Sequence, residues 1–443
     1  MKTLYYLMGL LLLFPLMSNA QHLKVSGQLK HRFEHRHGFK TLRPVDDHMD
    51  VAANFFVQRS RLNLFYGNQL KHISVGVSVQ DVRTWGATKQ LSVGDANNLG
   101  IHEAWTEINF NEHLFMKLGR QELVYDNSRI LGNMDWTEQG RSHDLALFKY
   151  ENLFKLHAGL AYNVGEESLY KTPFEVSGNY KEMQFLWFNK QWEHLNWSIL
   201  LLNNGIEYVE EEEEGLSHHT PSELETIYSQ LLGTYIEYHK NHLSINTSAY
   251  YQGGTNCENQ NLRAYNILCE VRYKIDNGLS LLAGTELLSG TDMDATDNVC
   301  RAFNPLYGSN HHFNGYMDYF YVENHENSVG LADHYIGISH HYHHWDTSVE
   351  THLFNAMGNI VTEDGQYHPQ LGTEIDISTA YHLSDEVAIK AGYSVMAATE
   401  SMEVLKGGDA EKFNNWAWVM VKIHPTFFET HLEQEKKLKA KHH

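Results

Sequence analysis

Apolar and polar positions alternate with a period of two through most of this chain. In one run Ile73, Val75, Val77 and Val79 stand against Ser74, Gly76, Ser78 and Gln80. In another Val387, Ile389, Ala391, Tyr393 and Val395 stand against Lys390, Gly392 and Ser394. Successive side chains of a strand point to opposite faces, so each run predicts a strand with one greasy and one polar face. The pattern predicts strands over 22–36, 52–67, 70–84, 99–110, 113–123, 142–150, 153–163, 180–190, 194–204, 226–239, 242–252, 262–275, 279–290, 328–341, 344–356, 372–383, 386–398 and 414–423. That is about 18 strands, an even number, as bacterial membrane barrels have. Strands 180–190 and 194–204 are apolar on both faces, so alternation does not fix which face turns inward.

The links between strands alternate short and long. Gly67-Asn68-Gln69, Asn111-Glu112, Asn152, Asp276-Asn277-Gly278 and Ser384-Asp385 are turn-type links. Long links fall between them at 85–98, 124–141, 164–179, 205–225, 291–327, 357–371 and 399–413. An outer-membrane barrel has tight periplasmic turns and long extracellular loops. The pattern therefore predicts an all-β, transmembrane, up-and-down antiparallel barrel over residues 21–427, as one domain.

The N-terminus agrees with export. Lys2 precedes the apolar run Leu4 to Met17, and Ser18-Asn19-Ala20 supplies small residues where a signal peptidase reads. Residues 1–20 are expected to be a signal peptide cleaved near Ala20, which places the barrel in the outer membrane of a Gram-negative bacterium. No later apolar run is long enough for a transmembrane helix. Mean hydropathy is −0.46, yet the chain holds 25 Tyr, 20 Phe and 9 Trp. Strands greasy on one face, with aromatic girdles at the membrane interfaces, account for both values. A formal net charge of −21 argues against nucleic acid as a partner. Residues 428–443, ending in a Lys-rich run, are expected to be a charged tail. Cys269 falls on the apolar face of a predicted strand, and for Cys257 and Cys300 in long links the spacing leaves both a bridge and two thiols open.

Three stretches resemble the alginate export family of outer-membrane barrels. They are Gln58-Arg59-Ser60-Arg61-Leu62; Leu118-Gly119-Arg120-Gln121-Glu122-Leu123, with Ser128-Arg129-Ile130-Leu131-Gly132 and Asp135 to Asp144; and Phe303-Asn304-Pro305-Leu306-Tyr307-Gly308, with Phe313-Asn314-Gly315 and Asp318-Tyr319-Phe320. The resemblance covers roughly residues 50–150 and 300–325 and rests elsewhere on strand pattern. It implies an 18-stranded barrel with an arginine-rich pore for anionic polysaccharide.

Strand parity points the same way. Arg59, Arg61 and Asn63 share one face, and an arginine facing lipid at the midplane of a barrel costs about 2–4 kcal/mol, so this face is expected inside. Lys117 is expected inside as well. Arg120 falls on the lipid parity and is expected at the membrane rim. Arg129 and Arg141, with Asp126, Asp135, Glu138 and Asp144 nearby, predict that link 124–141 folds inward and is pinned by Arg–carboxylate pairs. The expected solute pathway is Arg59, Arg61, Lys117, Arg120, Arg129, Arg141 and Asp144. Barrel interiors also carry Arg–Glu ladders that only brace the wall, and Glu103, Glu107, Glu270, Glu374 and Asp376 have the parity to serve as partners.

No cofactor is expected. Asp292, Asp294 and Asp297 are weak candidates for a structural calcium ion, as is the Glu210 to Glu214 run, because clustered carboxylates are hard oxygen ligands. The His311-His312, His340-His341 and His343-His344 pairs read as polar wall and rim residues. No Gly-x-Ser-x-Gly elbow occurs, and no spacing among the many Asp, His and Ser residues selects a catalytic set, so no enzyme is expected. The expected function is passage of anionic solutes, with alginate-like poly- or oligosaccharide as the candidate, within outer-membrane lipid and with periplasmic proteins as further partners. The alternatives are a surface-binding or structural barrel and a barrel hydrolase.

Overall fold

The computed structural model describes residues 21–68, 72–91, 99–170, 172–174, 178–208, 225–321, 324–325 and 328–430. The expected signal peptide, the Glu210 to Glu214 run and residues 431–443 lie outside the described residues. Eighteen antiparallel strands form a closed barrel. They are β1 (Gln21–His37), β2 (Ala53–Asn68), β3 (Ile73–Thr84), β4 (Leu99–Asn109), β5 (Leu114–Gln121), β6 (His143–Glu151), β7 (Lys155–Tyr162), β8 (Glu182–Gln191), β9 (Leu195–Tyr208), β10 (Glu225–Lys240), β11 (Leu243–Thr255), β12 (Asn261–Lys274), β13 (Leu279–Leu288), β14 (Leu331–Tyr342), β15 (Trp345–Asn355), β16 (Gln370–Ser384), β17 (Val387–Ala398) and β18 (Asn414–Ile423). Each predicted strand is present, with ends displaced by a few residues at most. Each strand pairs with its neighbour in sequence, and β18 closes on β1, from Leu29 opposite Ile423 to His37 opposite Asn415.

Past Pro425 the chain pairs again with β1, placing Phe428 opposite Val25 and Glu429 opposite Lys24. Paired structure therefore runs two residues into the segment expected to be tail. Glu429 anchors it through a hydrogen bond with His22, at 3.0 Å, and an ion pair with Lys24, at 3.3 Å.

The outer surface carries the apolar parity. Leu62, Leu64, Leu160, Leu201, Leu232, Ile267, Ile336, Ile377 and Val419 are all exposed. Phe110, Trp192, Tyr273, Tyr342, Trp345 and Phe427 lie at or beside the short turns and are exposed as well. That is the aromatic girdle expected at the periplasmic interface. Cys269 is exposed on the same outward face.

The two strands left without a register resolve through their inner faces. Met183, Phe185 and Trp187 of β8 and Leu200 and Leu202 of β9 are buried, while Leu186 and Leu201 face out. Their inner faces are apolar because they pack on loop residues that enter the lumen. Leu123, Tyr125, Ile130 and Leu131 join them in one buried cluster with Phe303, Met317, Tyr319 and Phe320. A short α-helix, α1 (Glu400–Lys406), lies in the last long link and buries Met402.

Candidate functional site: the plugged lumen

Two long links fold into the barrel and meet there. Leu131 bridges to Tyr307, Gly132 N donates to Tyr307 O at 2.9 Å, Tyr307 N donates to Ile130 O at 3.1 Å, and Ser309 N donates to Ser128 O at 2.9 Å. The two links together form a plug. The contact requires Gly308, since a Cβ there would stand 2.1 Å from the Arg129 carbonyl oxygen.

The barrel wall explains why the plug binds where it does. Lys30 of β1 lies directly opposite Arg59 of β2 and Lys422 of β18. Three cations thus form a row across the closing seam, and like charges directly opposite one another are destabilising. The plug supplies the missing carboxylates. Arg59 and Lys422 both donate to Asp135, Lys422 at 3.0 Å. Glu138 meets Lys30 at 2.8 Å and Arg32 at 3.0 Å. Lys30 also donates to the carbonyl oxygens of Asp135 and Trp136, each at 2.8 Å. Although burial works the other way, Arg59 and Lys422 hold the Asp135 carboxyl well below the usual carboxylate range.

A second sector has the opposite sign. Glu286 of β13 lies opposite Asp333 of β14, both buried. Arg129 of the plug meets Glu286 at 2.7 Å, and Asn314 donates to Glu286 at 2.8 Å and to Asp333 at 3.4 Å. His352 joins its Nδ1 to Asp333 at 3.0 Å. Nearby, Glu374 accepts from Met317 N at 2.8 Å, and the Gly315 Cα lies so close to the Glu374 carboxyl that a Cβ would stand 2.7 Å from it. The plug is therefore a strut. Its acids bind the cationic seam and its arginine binds the acidic sector.

Two cavities flank the strut. The outer one, of about 470 Å³, is lined by Arg32, Arg36, Lys40 and Arg83, by the carboxylates Glu34, Glu138 and Asp318, and by Phe39, Phe55 and Trp136 among others. The periplasmic one, of about 680 Å³, is lined by Lys274, Lys390 and Asp346, together with His340, His341, His382 and Trp418.

The residues expected to line the solute path fall into two groups. Arg59, Arg61, Lys117, Arg129 and Arg141 all face inward, but most are occupied. Arg61 donates to Gln80 at 2.7 Å and lies 3.6 Å from Glu122. Arg129 is buried among Glu286, Asn310, Asn314 and the Phe313 ring. Arg141 donates to Gly308 O at 3.1 Å. Lys117 sits 3.9 Å over the Trp105 ring. Arg120 takes the outward parity that alternation assigns to it, and Asp144 takes it too, so neither stands on the lumen wall. They are Cα partners on the outward parity of β5 and β6 and pair with each other at 2.8 Å, with side chains 42 % and 58 % exposed. They lie outside the lumen because Gln121 and His143, their neighbours in sequence, take the buried inward positions.

The calcium expectation finds no converging site. Asp297 is held by Arg301 at 2.6 Å, and Asp292 accepts from Asn359 N at 2.7 Å. Asp294 is exposed. Among the described residues no group of three or more His, Cys, Asp or Glu is placed to hold a metal ion. Sequence reasoning missed Lys30, Arg32, Glu34 and Arg36, although all four share one parity of β1 and that signal was available.

The profile of the alginate export family matches residues 21–412, and the chain belongs to that family. Solved structures show the same fold. Pseudomonas aeruginosa OpdK, solved with vanillate, matches at 8% identity and TM-score 0.59, covering 91% of this chain and 99% of that one. Acinetobacter baumannii OccAB4 matches at 10% identity and TM-score 0.59, covering 93% and 100%. P. aeruginosa OpdQ matches at 12% identity and TM-score 0.57, covering 92% and 98%. No curated protein matches the chain. The protein is an outer-membrane, porin-like β-barrel channel of a Gram-negative bacterium.

Proposed function

We propose that this channel passes anionic solutes by diffusion, with acidic oligosaccharides of the alginate type as the candidate class. The observation that carries this reading is the balance of charge on the open surfaces of the lumen. The chain as a whole is strongly acidic, at −21. Yet the outer cavity presents Arg32, Arg36, Lys40 and Arg83 against Glu34, Glu138 and Asp318. The periplasmic cavity presents Lys274 and Lys390 against Asp346. The outer carboxylates are paired, Glu34 with Arg32 and Arg36, Glu138 with Lys30 and Arg32, and Asp318 with His311, while Arg83 is itself paired with Asp81 and Lys40 lies over the Tyr321 ring. Rings of Arg and Lys favour anions in pores. Arg36 also stacks on Phe39 and Phe55, 4.3 and 4.8 Å from the ring centroids. A guanidinium beside aromatic faces suits a sugar ring that carries a carboxylate.

The test is current blockade in planar bilayers. Short oligouronates added to the outer side should interrupt the ionic current, and neutral oligosaccharides of equal length should do so far less. Equal blockade by both would remove the anionic part of the proposal. Arg36→Gln with Lys40→Gln should weaken the oligouronate effect.

A further inference from the structure

The two cavities are separated by very little. Of all the residues lining the outer and periplasmic cavities, three are shared: Trp136, His311 and His312. These three therefore stand between the two cavities.

Two of them are locked. Trp136 has the Arg32 guanidinium 4.3 Å from its ring centroid and the His311 ring stacked on it at 4.2 Å. Trp418 packs against it edge-on at 4.9 Å, and Trp416 at 5.7 Å. His311 shares a hydrogen bond with Asp318 at 2.8 Å through Nδ1, and its ring also stacks on Tyr316. Turning either ring would break several contacts at once.

His312 differs. It ends the short 3-10 turn Asn310–His312, and its backbone N donates to Ser309 O at 3.2 Å. Its side chain is exposed to the lumen. Among the described residues its imidazole makes no side-chain hydrogen bond and no ion pair. The backbone is thus held by the plug while the ring is left uncommitted where the two cavities meet.

We propose that His312 is the selecting residue of a waist in the lumen, the side chain that a solute must pass and touch between the outer and periplasmic vestibules. Its neutral imidazole offers one N–H donor and one acceptor nitrogen. That pair suits the hydroxyl and carboxylate edges of an extended sugar chain sliding past a fixed Trp136–His311 stack. The inference rests on the channel reading above, and it names the residue at which passage is controlled.

The test uses the full-length protein in planar bilayers. His312→Ala should raise unitary conductance and His312→Trp should lower it. His312→Cys, treated with a bulky thiol-directed methanethiosulfonate, should lose most of its current. Ser378→Cys, on the periplasmic vestibule wall, should lose much less. The unsubstituted protein treated with the same reagent, with Cys257 and Cys269 exposed, is the reagent control. Equal conductance in the Ala and Trp variants, or equal block at positions 312 and 378, would overturn the proposal. The two readings fail separately. An anion-preferring channel indifferent to position 312 defeats the waist alone. Conductance that follows position 312 without anion preference defeats the anion reading alone. A protein that passes no current defeats both.

Discussion

At the scale of single residues, the arginines that parity and family resemblance single out act mainly as clamps. Arg129 is the clearest case, because both it and Glu286 are almost completely buried. Removing one partner of a buried pair leaves an uncompensated charge and typically costs about 3–5 kcal/mol. Arg129→Gln should therefore loosen the plug, read as lost hydrogen-exchange protection over residues 303–321. Joint replacement of Arg129 and Glu286 by Met should restore part of that protection. Asp135 gives a pH dependence of definite sign. Its folded carboxyl titrates below the ordinary value of 3.8, held down by Arg59 and Lys422 against the effect of burial. Its contribution is complete above the unfolded value and fades as pH falls through the lower folded one. Openings of the plug should accordingly become frequent only in strong acid, and Asp135→Asn should show frequent openings at neutral pH. Parity made the inward direction of Arg59 and Arg61 legible. Their partners were not, because Asp135 lies 76 residues from Arg59 and reaches it through loop geometry that no local pattern encodes.

At the scale of elements, strands were legible and loops only in part. Alternation located the strands because one face meets lipid and the other does not. It failed for register in β8 and β9, where the inner face is apolar too, and the cause is the plug packed against Phe185, Trp187 and Leu202. The inward fold of 124–141 was foreshadowed by its mixed charges. The entry of 303–321 into the same space was not, since its buried Met317, Tyr319 and Phe320 read equally well as the interior of an external loop. The junction of the two loops is tight enough to test. Gly308→Ala would force a methyl group against the Arg129 carbonyl. The barrel should survive this change, with heat-resistant strand content by circular dichroism unchanged, while single-channel records should become noisier as the two loops separate.

At the scale of the whole molecule, charge is sorted by place. Lys30, Arg59 and Lys422 face one another across the closing seam, Glu286 and Asp333 face one another across β13 and β14, and the plug joins the two sectors. This arrangement lets a chain of formal charge −21 offer a lumen whose open surfaces carry more cations than carboxylates. Composition alone hides that result, because net charge says nothing of which face a side chain occupies. Among available measurements, the reversal potential of the purified barrel in a planar bilayer under a KCl gradient tests the account most directly. The sorted lumen predicts a potential displaced toward the chloride equilibrium value, with the displacement reduced in Arg36→Gln, Lys40→Gln and Lys390→Gln combined. A potential displaced toward the potassium value would contradict it.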